Sequence, residues 1–204
     1  FAAGHCGAQS HGRPLVVAVP SGNFGNLCAG LLAQRLGAPI ATLVAATNAN
    51  RTVPDYLESG HYRPRPSVAT LASAMDVGAP SNLERLTALY PDAARLGATL
   101  SAVSIDDAAI RARIRADHLR YGRVWCPHTA TAAEAWARLP EGRRAGRQWV
   151  LVSTAHPAKF REIVEPLIGR ALAMPDNLAR LFERSSRCSE IEPTLAALRA
   201  ALGA

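Results

Sequence analysis

Two glycines and two asparagines follow a short apolar run near the start of the chain, in the order Ser21-Gly22-Asn23-Phe24-Gly25-Asn26. Residues 15–19 have the β-branched composition of a buried strand, and Pro20 ends the strand because its nitrogen cannot donate to a ladder. Residues 27–36 have the composition of a helix that ends at Gly37. A strand, a glycine-bearing turn and a helix leave free N–H groups at the helix N-terminus, which favours binding of an anion such as phosphate.

The glycines of this turn permit close approach of an anion, and the serine and asparagines add side-chain donors. An ordinary capped turn explains the same residues without a ligand. The dinucleotide fingerprint G-x-G-x-x-G is absent, because Gly25 follows Gly22 by three positions and the next strand ends in asparagines. The P-loop requires G-K-[ST], whereas Lys159, the only lysine, lies far away. A phosphate on a small cofactor or substrate therefore fits better than a nucleotide.

A second predicted strand, residues 40–46, ends in Thr47-Asn48-Ala49-Asn50. A strand, a helix and a strand in this order form a parallel crossover, and ligands gather at the carboxyl ends of such strands, so we expect the two polar clusters to share one edge. The pattern predicts an α/β protein, a three-layer α/β/α arrangement with a mostly parallel sheet followed by C-terminal helices. The expected parts are a loop or incomplete element at residues 1–14, an α/β domain at 15–170 and a helical extension at 171–204. Other expected elements are a strand at 149–153 and helices at 53–59, 82–90 (with Ser81 as N-cap), 108–121, 130–139, 176–184 and 193–202.

Composition narrows the classes of function. The 204 residues are 49% hydrophobic with a net charge of +7, and the arginines are not interleaved with aromatics, which argues against a nucleic-acid surface. No apolar run reaches ~20 residues, so we expect no membrane span. The four cysteines form no C-x-x-C pair, which favours a reducing cytoplasm, and no cluster at metal-ligand spacing is visible, so we expect no catalytic metal. Because residue 1 is Phe1 and the first methionine is Met75, we expect the natural chain to begin upstream.

Six blocks along the chain resemble those of threonine synthases of the bacterial and fungal long-chain branch. They are VPSGNFGN, LVAATNAN, TVPDYLESGHY, ATLASAMDV with PSNLER, WCPHTATA and STAHPAKF, and they extend from Val16 to about Leu167. The resemblance implies the later part of a fold-type II pyridoxal 5'-phosphate enzyme, a carbon–oxygen lyase. Such enzymes convert O-phosphohomoserine and water to threonine and phosphate.

The resemblance also assigns roles to individual residues. Thr154 is similar to the hydroxyl residue that hydrogen-bonds the pyridine nitrogen of the cofactor, and Ser153 is the neighbour most easily confused with it. A neutral hydroxyl would not hold that nitrogen protonated, so the protein would tune the ring differently from a carboxylate. The cofactor phosphate is expected to bind at Ser21, Gly22, Asn23, Phe24, Gly25 and Asn26.

The family's cofactor-binding lysine precedes the phosphate loop, and the resemblance implies that it lies in an N-terminal half that these residues do not include. Lys159 belongs to a structural block, so we assign no catalytic residue and expect the chain to be inactive alone. Many relatives have aspartate where Arg51 stands, which leaves the start of the following helix uncertain. We interpret Arg51 as a solvated surface residue, with a role near a substrate phosphate as the alternative.

Two alternatives remain open. One is another fold-type II lyase, similar to serine or threonine dehydratases, and the other is a non-catalytic remnant that binds a phosphate ligand. His128 and His156 are expected to be hydrogen-bonded structural residues. Residues that could frame the substrate cavity, or serve only as a cap, a turn and a surface ion pair, are Asp76, Ser81, Asn82 and Arg85.

Overall fold

The computed structural model describes residues 12–185 and 188–203. The chain divides into two compact units, the first ending at Leu172 and the second beginning at Ala173. Most of the loop expected at residues 1–14 lies outside the described residues.

The first unit is built on a parallel sheet. Its strands within the described residues are β1 (Leu15–Pro20), β2 (Ile40–Thr47), β3 (Leu100–Ser104) and β4 (Gln148–Leu151). Their order across the sheet is β3-β2-β1-β4. The chain therefore runs outward from β1 to β3 and then returns to the opposite side of β1. The switch point, where ligands bind in sheets of this kind, lies between β1 and β4.

Helices cover both faces of the sheet, which gives the three-layer α/β/α architecture expected from the sequence. On one face Leu15 and Val19 of β1 join an apolar cluster with the first helix. Val16 and Ala18 point to the opposite face and join a second cluster that includes Ile110. The alternation follows from the two-residue period of a strand. The helices of this unit are α1 (Gly25–Arg35), α2 (Thr52–Ser59), α3 (Leu83–Leu89), α4 (Ala93–Gly97), α5 (Asp107–Tyr121), α6 (Pro127–Ala137), α7 (Glu141–Arg144) and α8 (Arg161–Ile168), with 3₁₀ turns at Ser73–Met75 and Pro157–Phe160.

The second unit contains two short helices, α9 (Asp176–Phe182) and α10 (Leu195–Leu202). The Thr194 side chain accepts a hydrogen bond from the Ala197 N–H group and so caps α10. Gly203 ends the helix in the left-handed conformation.

Three local expectations need correction. Ser81 is not the N-cap of α3, because Asn82 occupies that position and makes no side-chain cap bond. The strand predicted at 149–153 is shifted toward its N-terminus, since β4 spans Gln148–Leu151. The sequence predicted none of β3, α4, α7 and α8. β3 has the sequence Leu-Ser-Ala-Val-Ser, and its shortness and two serines make it hard to recognise as a strand. In the structure it pairs with β2 along its whole length.

Candidate functional site

The segment from Ser21 to Asn26 connects β1 to α1 at the carboxyl edge of the sheet. The Ser21 N–H group donates to the Ala46 carbonyl oxygen at 2.9 Å, which extends the pairing of β1 with β2 by one residue. Among the residues that the structure describes, no acceptor binds the backbone N–H groups from Gly22 to Leu27. The first turn of α1 carries no acidic side chain that would compete with an anion. These unpaired donors at the start of an 11-residue helix form a seat for negative charge.

Phe24 fixes the shape of this loop. Its φ of 61° lies in the left-handed region, and no other non-glycine residue in the described part of the chain has a positive φ. This conformation costs a residue with a Cβ atom about 1–2 kcal/mol. The Phe24 ring is 3% exposed and packs in the core cluster with Leu27 and Leu31, so burial of the ring offsets the backbone cost.

Gly22 is required by a close approach between the loop and the 3₁₀ turn at Ser73–Met75. A Cβ atom on Gly22 would lie 2.5 Å from the Met75 Cα atom and 2.8 Å from its carbonyl carbon and oxygen. A Cβ atom on Gly25 would lie 3.6 Å from the nearest atom, the Asn82 amide nitrogen, which is ordinary contact. Steric exclusion by backbone therefore demands glycine at position 22, whereas at position 25 a Cβ atom has room.

Asn23 accepts hydrogen bonds from two residues outside the loop, Ser81 and Asn82, which precede α3. Its Oδ1 atom accepts hydrogen bonds from the Ser81 N–H group at 2.6 Å and the Ser81 hydroxyl at 3.0 Å. The Asn82 side-chain amide donates to the Asn23 carbonyl oxygen at 2.9 Å. We call these three contacts the Asn23 clasp. The side-chain oxygen of Asn23 is thus occupied, and its Nδ2 atom is left as a donor.

A cavity of about 240 Å³ opens beside the loop, at the switch point between β1 and β4. All of the residues expected to bind the cofactor contribute to its wall, including Thr154 beyond the end of β4, whereas Asp76, Ser81, Asn82 and Arg85 do not. The Ser153 hydroxyl lies 3.4 Å from the Thr129 hydroxyl instead, and Ser153 is not part of the wall. The lining residues are Pro20, Ser21, Gly22, Asn23, Phe24, Gly25, Asn26, Ala74, Met75, His128 and Thr154.

His128 is a wall residue to which the sequence interpretation gave only a structural role. It lies in the first turn of α6 and is 4% exposed. Its Nε2 atom accepts a hydrogen bond from the Ala74 N–H group at 3.2 Å, so Nε2 is unprotonated and the neutral ring carries its hydrogen on Nδ1. Nδ1 is buried and has no hydrogen-bond partner within the described residues. Burial lowers the pKa of His128 below its usual value, against a smaller opposing effect of the Asp76 carboxylate.

The asparagines after β2 lie at the same edge of the sheet but support the wall from behind. The fully buried Asn48 donates from Nδ2 to the Asp76 Oδ1 atom at 2.7 Å and to the Thr70 hydroxyl at 2.8 Å. Asp76 also accepts a hydrogen bond from the Thr70 N–H group at 3.0 Å, and Asn50 contacts both Asn48 and Asp76. This network fastens the segment that carries Ala74 and Met75 to the end of β2. Asp76, Asn48 and Asn50 are absent from the cavity wall, so their role is structural support.

Several other sequence candidates lie away from the cavity. Lys159 is exposed in the 3₁₀ turn at Pro157–Phe160, and the His156 Nδ1 atom accepts a hydrogen bond from the Ala158 N–H group. Arg51 forms surface ion pairs with Asp55 and Glu58, and α2 begins beside it without an acidic cap.

Residues 12–185 and 188–203 contain neither a metal-ligand set nor a membrane-spanning helix. No group of three or more His, Cys, Asp or Glu side chains is arranged to hold a metal ion. None of the described helices combines the length and apolar character that crossing a membrane requires.

The chain is similar to threonine synthases in sequence and in structure. A family model described as the C-terminal region of threonine synthase matches residues 129–202. Threonine synthase from Haemophilus influenzae is 40% identical over 193 residues, which cover 92% of this chain and 43% of that protein. The chain therefore spans less than half the length of this relative.

Solved structures agree with the sequence comparison. The crystal structure of Escherichia coli threonine synthase aligns with a TM-score of 0.80 and 36% identity, over 94% of this chain and 44% of that one. Threonine synthase from Brucella melitensis, solved with PLP bound, aligns with a TM-score of 0.79 and 27% identity, over 96% and 47% of the two chains. Maize serine racemase, at 15% identity and a TM-score of 0.52 over 72% and 46% of the chains, shares the fold alone. By sequence and by fold, this chain is similar to the C-terminal part of threonine synthases.

Proposed function

We propose that the cavity beside Ser21–Asn26 binds the phosphate group of pyridoxal 5'-phosphate, and that the chain contributes this site to a threonine synthase. The reaction would convert O-phosphohomoserine and water to threonine and phosphate. The observation that carries the proposal is the set of unpaired N–H groups from Gly22 to Asn26, which belong to residues that line a cavity at the switch point of the sheet. The cofactor, when bound, supplies an electron-withdrawing ring that stabilises negative charge on the substrate.

The residues of the chain fit such a group. The loop offers donors without a competing carboxylate, and Gly22 leaves the narrow space that a Cβ atom would fill. Thr154 is exposed and makes no hydrogen bond within the described residues, so its hydroxyl is free to pair with the pyridine nitrogen. A hydroxyl can donate to an unprotonated nitrogen, whereas a carboxylate would favour the protonated ring. We therefore assign ring orientation to Thr154 and phosphate binding to the loop.

We place the cofactor-binding amine outside this chain, in polypeptide that corresponds to the rest of the longer relatives. Lys159 lies outside the cavity wall, so it is poorly placed to react with a ligand bound there. On this assignment the chain alone releases no phosphate from O-phosphohomoserine. We also propose action in the cytoplasm, because Cys28, Cys126 and Cys188 are free thiols.

Titration of the chain with pyridoxal 5'-phosphate and with pyridoxal, which lacks the phosphate, tests the site. We expect the phosphate ester to bind about 100-fold more tightly, because hydrogen bonds to a charged acceptor contribute about 1.5–3 kcal/mol each. Inorganic phosphate should compete with the ester. Thr154→Val should weaken binding of both ligands about threefold to tenfold, and Ser153→Ala, the matched control, should leave both affinities unchanged.

Equal affinity for the two ligands would contradict the proposal that the loop binds the phosphate group. Equal effects of Thr154→Val and Ser153→Ala would overturn the role of Thr154. Lys159→Ala should bind the ester as well as the unmodified chain does, and a loss of binding in this variant would return the amine to this chain.

A non-catalytic phosphate-binding remnant remains the second candidate, and the position of Lys159 favours it. Mixing the chain with the N-terminal part of a threonine synthase and measuring phosphate release distinguishes the two. Release that requires both parts supports the enzyme, and ligand binding without release in the mixture supports the remnant.

A further inference from the structure

We propose that Ser81 and Asn82 are positioning residues that orient the phosphate loop through the Asn23 clasp. Both residues precede α3, and neither is part of the cavity wall. They reach Asn23 across about 58 positions of sequence through three hydrogen bonds of 2.6–3.0 Å. This inference rests on the proposed function for its ligand, a phosphate ester, but its effect on the loop can be measured without any ligand.

The clasp engages the hydrogen-bond acceptors of Asn23 and leaves its donors unpaired within the described residues. Both of its oxygen atoms accept hydrogen bonds from Ser81 or Asn82, so neither needs another donor. Its backbone N–H and side-chain Nδ2 groups have no acceptor within the described residues. An oxygen that turned toward the cavity would repel an anion at short range. Because Ser81 and Asn82 bind both oxygens, Asn23 presents only hydrogen-bond donors at the rim of the cavity.

Within the described residues, the clasp supplies the only hydrogen bonds to Asn23, which lies in the middle of the loop. The Ser21 N–H group is bound to Ala46 at one end, and the Cys28 N–H group is bound to the Phe24 carbonyl oxygen at the other. Between these two bonds Asn23 is exposed, and within the described residues none of its backbone groups bonds to another backbone group. Preorganised donors bind an anion better than donors that must be ordered on binding. Loss of the clasp should therefore lower affinity for phosphate more than it lowers overall stability.

The test compares Ser81→Ala, Asn82→Ala and the double variant with Thr87→Ala. Thr87 is a suitable control because it is exposed on α3 and its hydroxyl bonds only to the Glu84 carbonyl oxygen in the same helix. We expect the dissociation constant for pyridoxal 5'-phosphate to rise about threefold to tenfold in each single variant and further in the double variant. Affinity for pyridoxal should stay unchanged. Ser81→Thr keeps the hydroxyl and should restore the affinity of the original chain.

Amide hydrogen exchange without ligand provides the independent readout. Because the Ser21 and Cys28 N–H groups are the hydrogen-bonded ends of the loop, their exchange should accelerate in Asn82→Ala and not in Thr87→Ala. Unchanged exchange together with unchanged affinity would overturn the inference. Faster exchange throughout β2 would also overturn it, because that result means general destabilisation. If the original chain binds neither pyridoxal 5'-phosphate nor inorganic phosphate, the proposed function fails, and exchange at Ser21 and Cys28 still decides on the positioning role.

Discussion

Replacing Gly22 by alanine tests the geometry of the phosphate loop most directly. The added Cβ atom would meet the Met75 Cα atom at 2.5 Å, and the obstructing atoms belong to backbone, so no side-chain rotation can relieve the contact. The loop and the turn at Ser73–Met75 must separate by about 1 Å to restore ordinary contact. Overpacking of this kind costs about 1–3 kcal/mol of unfolding free energy.

The same displacement should weaken ligand binding. Loop N–H groups that move by about 1 Å lose one or two hydrogen bonds to a charged phosphate, at about 1.5–3 kcal/mol each. This corresponds to a roughly 100-fold higher dissociation constant for pyridoxal 5'-phosphate, since each 1.4 kcal/mol is about tenfold. Urea unfolding and ligand titration measure the two effects. Gly142→Ala is the control, because a Cβ atom on Gly142 meets nothing within 4 Å. Equal stability and affinity in the two variants would refute the close approach.

Two further predictions concern His128 in the cavity wall and Asn48 behind it. Because burial lowers the pKa of His128, the unfolded chain binds a proton more readily than the folded chain, and this contribution to stability is lost as pH falls from about 6.5 through the lowered pKa. Urea unfolding between pH 7.5 and 5 should therefore show a flatter pH dependence for His128→Gln, and identical slopes would contradict the assignment. Asn48→Ala should lower the unfolding free energy by about 2–4 kcal/mol, because it leaves buried groups of the Asp76 network unpaired. Ser73→Ala serves as the control, and a loss below about 0.5 kcal/mol in Asn48→Ala would show that the network is not a support.

Local chemistry made the core of the site predictable. Pro20 and Gly37 punctuate the strand and the helix around the loop, and these effects act within a few residues of sequence. The parallel crossover then predicted that the loop and residues 47–50 share one edge, as β1 and β2 show. Several elements of the fold escaped the same reasoning. Among them, β3 is short and serine-rich, and α8 contains Pro166.

Contacts between distant segments could not be read from sequence. Serine is a residue type favoured at the N-cap of a helix, yet Ser81 binds Asn23, which lies in another part of the chain. Gly22 looked suitable for approach to an anion, whereas the structure adds a steric demand from Met75. Asn48 was expected at the edge of the sheet where ligands bind, and it lies there, but its side chain bonds to Asp76. In each case the residue type was informative, but its partner depends on tertiary packing.

The order of strands also bears on how the cavity forms during synthesis. Its wall joins segments from Pro20 to Thr154, so a nascent chain cannot complete the cavity until the residues after β4 have left the ribosome. At a translation rate of about 5–20 residues per second, the interval between the first and last wall segments is roughly 7 to 27 seconds. Throughout that time the loop has emerged without its opposite wall. A phosphate ester that binds in the cavity would consequently stabilise the finished fold. The growing chain would offer it no complete binding site.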